Sequence, residues 1–129
     1  MKILQPPGWA RAKGFSNGIA AQGRLVFIAG QIGWDAQQQW RERGFAGQFR
    51  QTLRNILEVL AEAGGKPQDL VRLTWYVIDR NEYLASIKEV GAAYRELMGK
   101  HYPTMAVVQV AGLVEPEARL EIEATAVLP

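Results

Sequence analysis

The chain has more apolar strand surface than its helices can cover. Side chains in a strand alternate between two faces. Here several strand-like runs are apolar on both. Leu25, Phe27 and Ala29 oppose Val26 and Ile28, and Met105 and Val107 oppose Ala106, Val108 and Val110. Leu70, Tyr76 and Ile78 oppose Val71, Leu73, Trp75 and Val77. Only two stretches have the 3.6-residue period of an amphipathic helix, and two helices cover one face of one sheet. The other face would be an apolar patch well beyond the few hundred Å² usual on a monomer. Closed, symmetric self-association is the expected cover.

In chain order, residues 1 to 14 read as irregular, because Pro6, Pro7 and Gly8 interrupt regular structure and Gly14 closes the stretch. Phe15 to Gln22 and Leu25 to Ala29 read as short strands joined by a tight turn at Gly23 and Arg24. Gly30-Gln31-Ile32-Gly33 ends the second strand, and the polar stretch Trp34 to Gly44, with Trp34 and Trp40, reads as a loop. Phe45 to Ala63 is predicted helical, with Phe49, Leu53, Ile56, Leu57 and Leu60 on one stripe and Gly64-Gly65 as its stop. Leu70 to Ile78 is a strand. The second helix is predicted over Asn81 to Met98, with Asp79 and Glu82 spaced as a capping box. Its buried stripe is Leu84, Ile87, Gly91, Tyr94 and Met98, with Val90 and Leu97 beside it.

Two final strands, Thr104 to Ala111 and Arg119 to Val127, read as antiparallel neighbours. In the second, Leu120, Ile122, Ala124 and Ala126 point one way, and Arg119, Glu121, Glu123 and Thr125 the other. The order β-β-α-β-α-β-β makes an α+β fold, one mixed sheet with two helices on one face.

The chain has 129 residues, which makes one domain spanning 1–129. Fifteen Lys and Arg against 13 Asp and Glu leave a net charge of +2, with no basic cluster, which argues against nucleic acid as a partner. There is no cysteine, which excludes disulfides, thiol nucleophiles and thiolate metal sites. His101 is the single histidine, so a His-rich metal site or a catalytic His pair is excluded as well. No apolar run reaches the roughly 18 residues of a membrane span, and the first residues lack a signal-type apolar core. The expected location is the cytoplasm, with no membrane partner.

Five sequence words in order carry a family resemblance. Gly14-Phe15-Ser16-Asn17 resembles a Gly-Pro-Tyr-Ser-Gln start with one residue absent. Val26-Phe27-Ile28-Ala29-Gly30-Gln31-Ile32 is similar to Val-Phe-x-Ser-Gly-Gln-Ile. Gln51-Thr52 with Asn55-Ile56 resembles a helix that begins Gln-Thr and has Asn-Leu a turn later. Ala61 to Gly64 resembles a Glu-Ala-Gly helix end, and Leu120 to Ala126 is close to Ile-Glu-Ile-Glu-Ala-x-Ala. Together they resemble the Rid family (RidA/YjgF-like proteins) over nearly the whole chain. The resemblance implies a chorismate-mutase-like α+β fold and a homotrimer whose sheets wrap into a central barrel with the helices outside. It implies small-molecule clefts between subunits and hydrolysis of reactive enamines and imines, with no cofactor or metal. Two other functions are weighed beside it. One is a non-catalytic small-metabolite-binding or regulatory protein. The other is RNA cleavage or translation inhibition, which the even charge distribution disfavours.

The chain departs from the family at the residues that handle substrate. Deaminase members carry an arginine two residues after the proline that opens the penultimate strand; here Pro103 is followed by Met105. Val107 stands where a cysteine is common, Phe15 where a tyrosine is, and Ala29 where a serine is. An arginine fork matches a carboxylate, and a thioether carries no charge. The resemblance therefore implies altered specificity, toward ligands without a nearby carboxylate. It offers Glu123 as the group that holds the hydrolytic water. It offers Phe15, Ala29, Gly30, Gln31, Met105 and Val107 as ligand contacts. Glu123 also reads as a strand-face charge equal to Glu121, and Gly30 as a strand end that needs a glycine. Arg24 and Arg119 are candidate substitute anchors or solvated charges. Trp34 and Trp40 are a lid over the cleft or ordinary packing. Asn55 reads as a bond to nearby loop backbone, and His101 as an exposed linker residue.

Overall fold

The apolar stripe of the first helix settles where the core lies. The computed structural model describes residues 1–129. Helix α1 (Phe45–Glu62) buries Phe49, Leu53, Ile56 and Leu60 as its periodicity requires, together with Phe45, Gln48 and Thr52. The helix stops at Gly64, whose φ of 81° suits a residue without Cβ. Gly64 N–H and Gly65 N–H donate to the carbonyls of Ala61 and Leu60 at 2.9 and 3.1 Å, which satisfies the last turn.

Six strands form, in two sheets. β1 (Lys2–Leu4) pairs antiparallel with β2 (Gly18–Ala20). The main sheet holds β3 (Arg24–Gln31), β4 (Leu70–Val77), β5 (Thr104–Gln109) and β6 (Leu120–Leu128) in the order β3-β6-β4-β5. Two expectations are corrected here. The stretch before Gly14 contains a strand. β2 and β3 do not form a hairpin, because β2 turns to β1 while β3 pairs with β6. Gly23 serves a different need: a Cβ there would collide with the Leu128 carbonyl.

The last two strands are not neighbours either, because β4 lies between them. β5 runs parallel to β4, and β6 runs antiparallel to both β3 and β4. The helical connection between β4 and β5 accounts for this: a crossover returns the chain to the end where it began, so the next strand is parallel. β6 then fills the gap between β3 and β4. Its alternation is the cleanest in the chain, with Leu120, Ile122, Ala124, Ala126 and Leu128 all buried.

A bulge corrects the faces of β4. The register shifts between Leu70 and Arg72, which turns Leu70 to the same buried side as Leu73, Trp75 and Val77. The predicted second helix is two. α2 (Arg80–Ala85) and α3 (Ile87–Met98) meet at Ser86. Asp79 caps α2 by accepting from Asn81 N–H at 2.9 Å rather than through Glu82. The break takes Leu84 and Ile87 out of the expected buried stripe, and α3 buries Val90, Ala93, Tyr94 and Met98. Both helical segments and α1 cover one face of the main sheet.

The opposite face is bare. Phe27 is 75% exposed there, Leu25 58% and Val108 42%, among Thr74, Tyr76, Glu121, Glu123 and Thr125. No helix is long and apolar enough to cross a membrane.

Candidate functional site

The residues singled out in the sequence fall into two groups, on opposite faces and opposite edges of the main sheet. Phe15, Met105 and Val107 form the first, on the helix side of edge strand β5, where they line a cavity of about 500 Å³. Alternation decides this: Met105 and Val107 pack toward the core, and Ala106 and Val108 point away. Phe15 arrives because its neighbour Ser16 docks onto the start of β5. Ser16 N–H donates to Pro103 O at 3.1 Å, and its hydroxyl to Tyr102 O at 2.5 Å.

The rest of that cavity is aromatic. Tyr94 stacks on Tyr102 with centroids 5.2 Å apart and donates its hydroxyl to His101 O at 2.5 Å. Burial, followed by the neighbouring Tyr102, raises the Tyr94 phenol well above its ordinary value. Trp75 stacks on Phe49 at 4.9 Å and meets Tyr83 edge-on at 5.9 Å. Its indole N–H is buried without a partner in the chain. His101 is no exposed linker residue: its Nε2 lies 2.7 Å from Leu70 O, which ties the approach to β5 down onto β4.

Ala29, Gly30, Gln31 and Glu123 form the second group, along β3 and β6. The register of these two strands shifts between Ile28 and Gln31, so Ala29 and Gly30 together oppose the single Glu123. Ala29 and Glu123 line an open-face hollow of about 480 Å³ with Phe27, Arg72, Thr74 and Thr125. Gln31 folds back and donates to Ala29 O at 3.1 Å. Asn55 on α1 holds the corner that follows, donating to Ile32 O at 3.0 Å and Trp34 O at 2.8 Å, which is the loop-backbone role expected of it. Close packing of the loop on α1 fixes Gly33 too, because a Cβ there would lie 2.7 Å from the Gln48 Cβ.

Two carboxylates stand at this corner. Glu123 is exposed, and its Oε1 accepts from the Tyr76 hydroxyl at 2.7 Å, which raises the Tyr76 pKa. Glu121 is half-buried, and its carboxylate rests against Gly30, where a Cβ would collide with its Oε2 unless the glutamate moved. Sequence reading passed over Glu121 because alternation makes the two glutamates equal; only the β3 bulge distinguishes them. Met105 and Phe15 lie across the sheet and are not neighbours of Glu123 within one chain.

The substitute anchors considered from sequence are engaged elsewhere. Arg24 donates to Ala63 O at 3.0 Å behind α1, and Arg119 pairs with Glu82 at 3.7 Å. Trp34 and Trp40 pack on each other at 5.8 Å and line neither hollow. Nowhere do three His, Cys, Asp or Glu side chains converge as metal ligands would.

Comparison with known proteins agrees with this fold. The family model described as Endoribonuclease L-PSP matches residues 8–128. The human 2-iminobutanoate/2-iminopropanoate deaminase is 33% identical over 105 residues, which is 81% of this chain and 73% of that protein. A RutC family protein of Pyrococcus horikoshii is 36% identical over 113 residues, covering 87% and 85%. Among solved structures, the Rid-family protein YyfB of Yersinia pestis superposes with a TM-score of 0.87 at 31% identity, covering 98% of both chains. YjgF of Escherichia coli gives 0.70 at 28% identity, covering 89% and 87%. With its α+β fold and these relatives, the chain belongs to the Rid (YjgF-like) family.

Proposed function

We propose that the chain forms a closed homotrimer and hydrolyses enamine- or imine-type metabolites in clefts between subunits. The observation that carries this is the separation of the two residue groups. Phe15, Met105 and Val107 sit at the β5 edge, and Gly30, Glu121 and Glu123 at the β3–β6 edge, on the other face. One copy cannot bring them onto one ligand. A second copy can, if its β3–β6 corner meets this chain's β5 edge. Such a contact joins two different surfaces, and a heterologous contact closes into a ring when its rotation is one third of a turn. The same assembly would cover Leu25, Phe27 and Val108. The activity in the human relative's name supports the reaction class.

The chemistry needs one base and one water. Protonation of an enamine on carbon gives its iminium. Water then adds through oxygen to the iminium carbon, the C=N π pair moves to nitrogen, and a carboxylate takes one proton from the water, which leaves a neutral carbinolamine. That carboxyl returns its proton to nitrogen, and as the C–N bond breaks and ammonia leaves, the carboxylate takes the hydroxyl proton and the carbonyl forms. The resemblance offers Glu123 for this role. The geometry favours Glu121, which lies against the Gly30 corner, whereas Glu123 already accepts from Tyr76. Met105 leaves β5 without the charged fork for a 2-imino acid, which costs on the order of 2–5 kcal/mol of binding. Small 2-imino acids are therefore poor substrates.

Glu121→Gln and Glu123→Gln separate these roles. Ammonia release is followed for imines of small and of larger carbonyl compounds, with assembly checked in each variant. Glu121→Gln is expected to lose about 10²- to 10⁴-fold in kcat with assembly intact. A loss confined to Glu123→Gln transfers the role to Glu123. Wild-type turnover in both variants removes both carboxylates from the chemistry, and no turnover by the native protein sinks the hydrolytic reading in favour of a binding protein.

A further inference from the structure

We propose that Arg95 on α3 is the anion anchor of the cavity that Met105 lines, and that the cavity takes a carboxylate carried on an aromatic-sized apolar body. This rests on reading that cavity as the ligand-binding half of the site. It does not depend on the hydrolytic step.

The charge balance of the cavity points this way. Within one chain its lining holds two cations, Lys13 and Arg95, and no Asp or Glu. Arg95 takes part in none of the chain's ion pairs or side-chain hydrogen bonds. Its helical neighbours explain why. The positions three and four residues away are Gly91, Ala92, Met98 and Gly99, so no acid stands where a helix would pair it. The adjacent Glu96 is held by Arg50 of α1. Two exposed like charges on the lining of an apolar hollow raise the local potential for an anion.

Gly91 supplies the second observation. It lies one turn before Arg95 and lines the same cavity, and a Cβ there would come within 3.3 Å of Arg95 Nη1. The guanidinium is therefore folded back over Gly91, on the wall of the cavity. A glycine inside a helix costs about 1 kcal/mol relative to alanine. With no Cβ at Gly91, the guanidinium rests directly on the helix at that point.

Size and walls define the rest of the ligand. A volume of about 500 Å³ falls in the range of drug-sized ligand sites and is far more than a three-carbon acid fills. Phe15, Tyr83 and Tyr102 offer aromatic surface, and Met105 and Val107 a soft apolar floor. A carboxylate on Arg95 gains a forked, charge-assisted contact, and the body it carries lies over Met105. The anchor is thus moved from strand to helix, and the ligand it admits is longer.

The test is calorimetric titration of the intact protein at low salt with 3-phenylpropanoate, its neutral amide 3-phenylpropanamide, and propanoate. The acid should bind roughly tenfold or more tighter than the amide. Arg95→Gln should erase that difference while leaving amide binding unchanged, and Arg95→Lys should restore part of it. A purely structural Arg95, serving the last turn of α3, would change melting temperature and not the acid–amide ratio. Equal binding of acid and amide by the native protein overturns the proposal. So does a ratio that survives Arg95→Gln or falls only with Lys13→Gln, and so does failure of every probe to bind. Propanoate binding as tightly as 3-phenylpropanoate overturns the aromatic body. Ammonia release is followed on the same protein: an acid–amide ratio that falls with Arg95→Gln where no ammonia is released would sink the deaminase reading and leave the anchor standing.

Discussion

Replacing Phe27 with aspartate should take the proposed trimer apart without unfolding the chain. Phe27 is 75% exposed on the open face of the sheet. An aromatic side chain offers about 150–250 Å², so a partner that covers Phe27 withdraws roughly 110–190 Å² and gains about 3–5 kcal/mol per subunit at about 25 cal/mol/Å². Aspartate forfeits that gain and brings a charge that resists burial. In the separated chain the same position is solvated, where substitutions stay within about 0.5 kcal/mol. Sedimentation velocity at micromolar concentration should show the native protein at three times the 14.4 kDa chain mass and Phe27→Asp at one. Circular dichroism should report the same helix content. Turnover should vanish with the trimer even though Phe15, Met105, Val107, Gly30 and Glu121 are untouched, because they would no longer face one another. A native monomer, or a monomeric Phe27→Asp that keeps its kcat/KM, would refute the composite site.

Three further outcomes follow from single contacts. Met105→Arg should raise kcat/KM for 2-iminopropanoate roughly thirty- to several-thousand-fold; no gain in a variant that still assembles would mean that the β5 position does not hold the carboxylate. Asn55→Ala removes the bonds to Ile32 O and Trp34 O and should cost about 1–3 kcal/mol in urea melts, and a change below about 0.5 kcal/mol would show the corner holds itself. The Asp35 carboxyl accepts from Gln39 N–H and Arg41, and these bonds hold its pKa below the usual carboxylate range. Because its folded pKa is depressed, its contribution is complete above the ordinary carboxylate pKa and is lost as pH falls through the folded value. Asp35→Asn should therefore weaken the acid-side change in Trp34 and Trp40 fluorescence, and an unaltered acid limb would count against it.

Local periodicity made much of this fold legible from the residues alone. The stripe Phe49, Leu53, Ile56, Leu60 and the alternation from Leu120 to Ala126 each repeat with the period of their own backbone, so they declare helix and strand without reference to anything distant. The excess of two-faced apolar strand likewise pointed to a bare sheet face before any strand order was known. Family words supplied both groups of candidate residues. What the sequence left open depends on backbone pairing between distant segments. β6 lies between β3 and β4, a place that its own composition does not announce. One extra residue in a ladder sends every later side chain to the other face. Such bulges turned Leu70 inward and set the Gly30 corner beside Glu121 rather than Glu123 alone. Arg95 shows the same limit. Its spacing from Gly91 is an ordinary helical turn in the sequence, and it acquires meaning only when α3 sits beside Met105 across a cavity that both help to line.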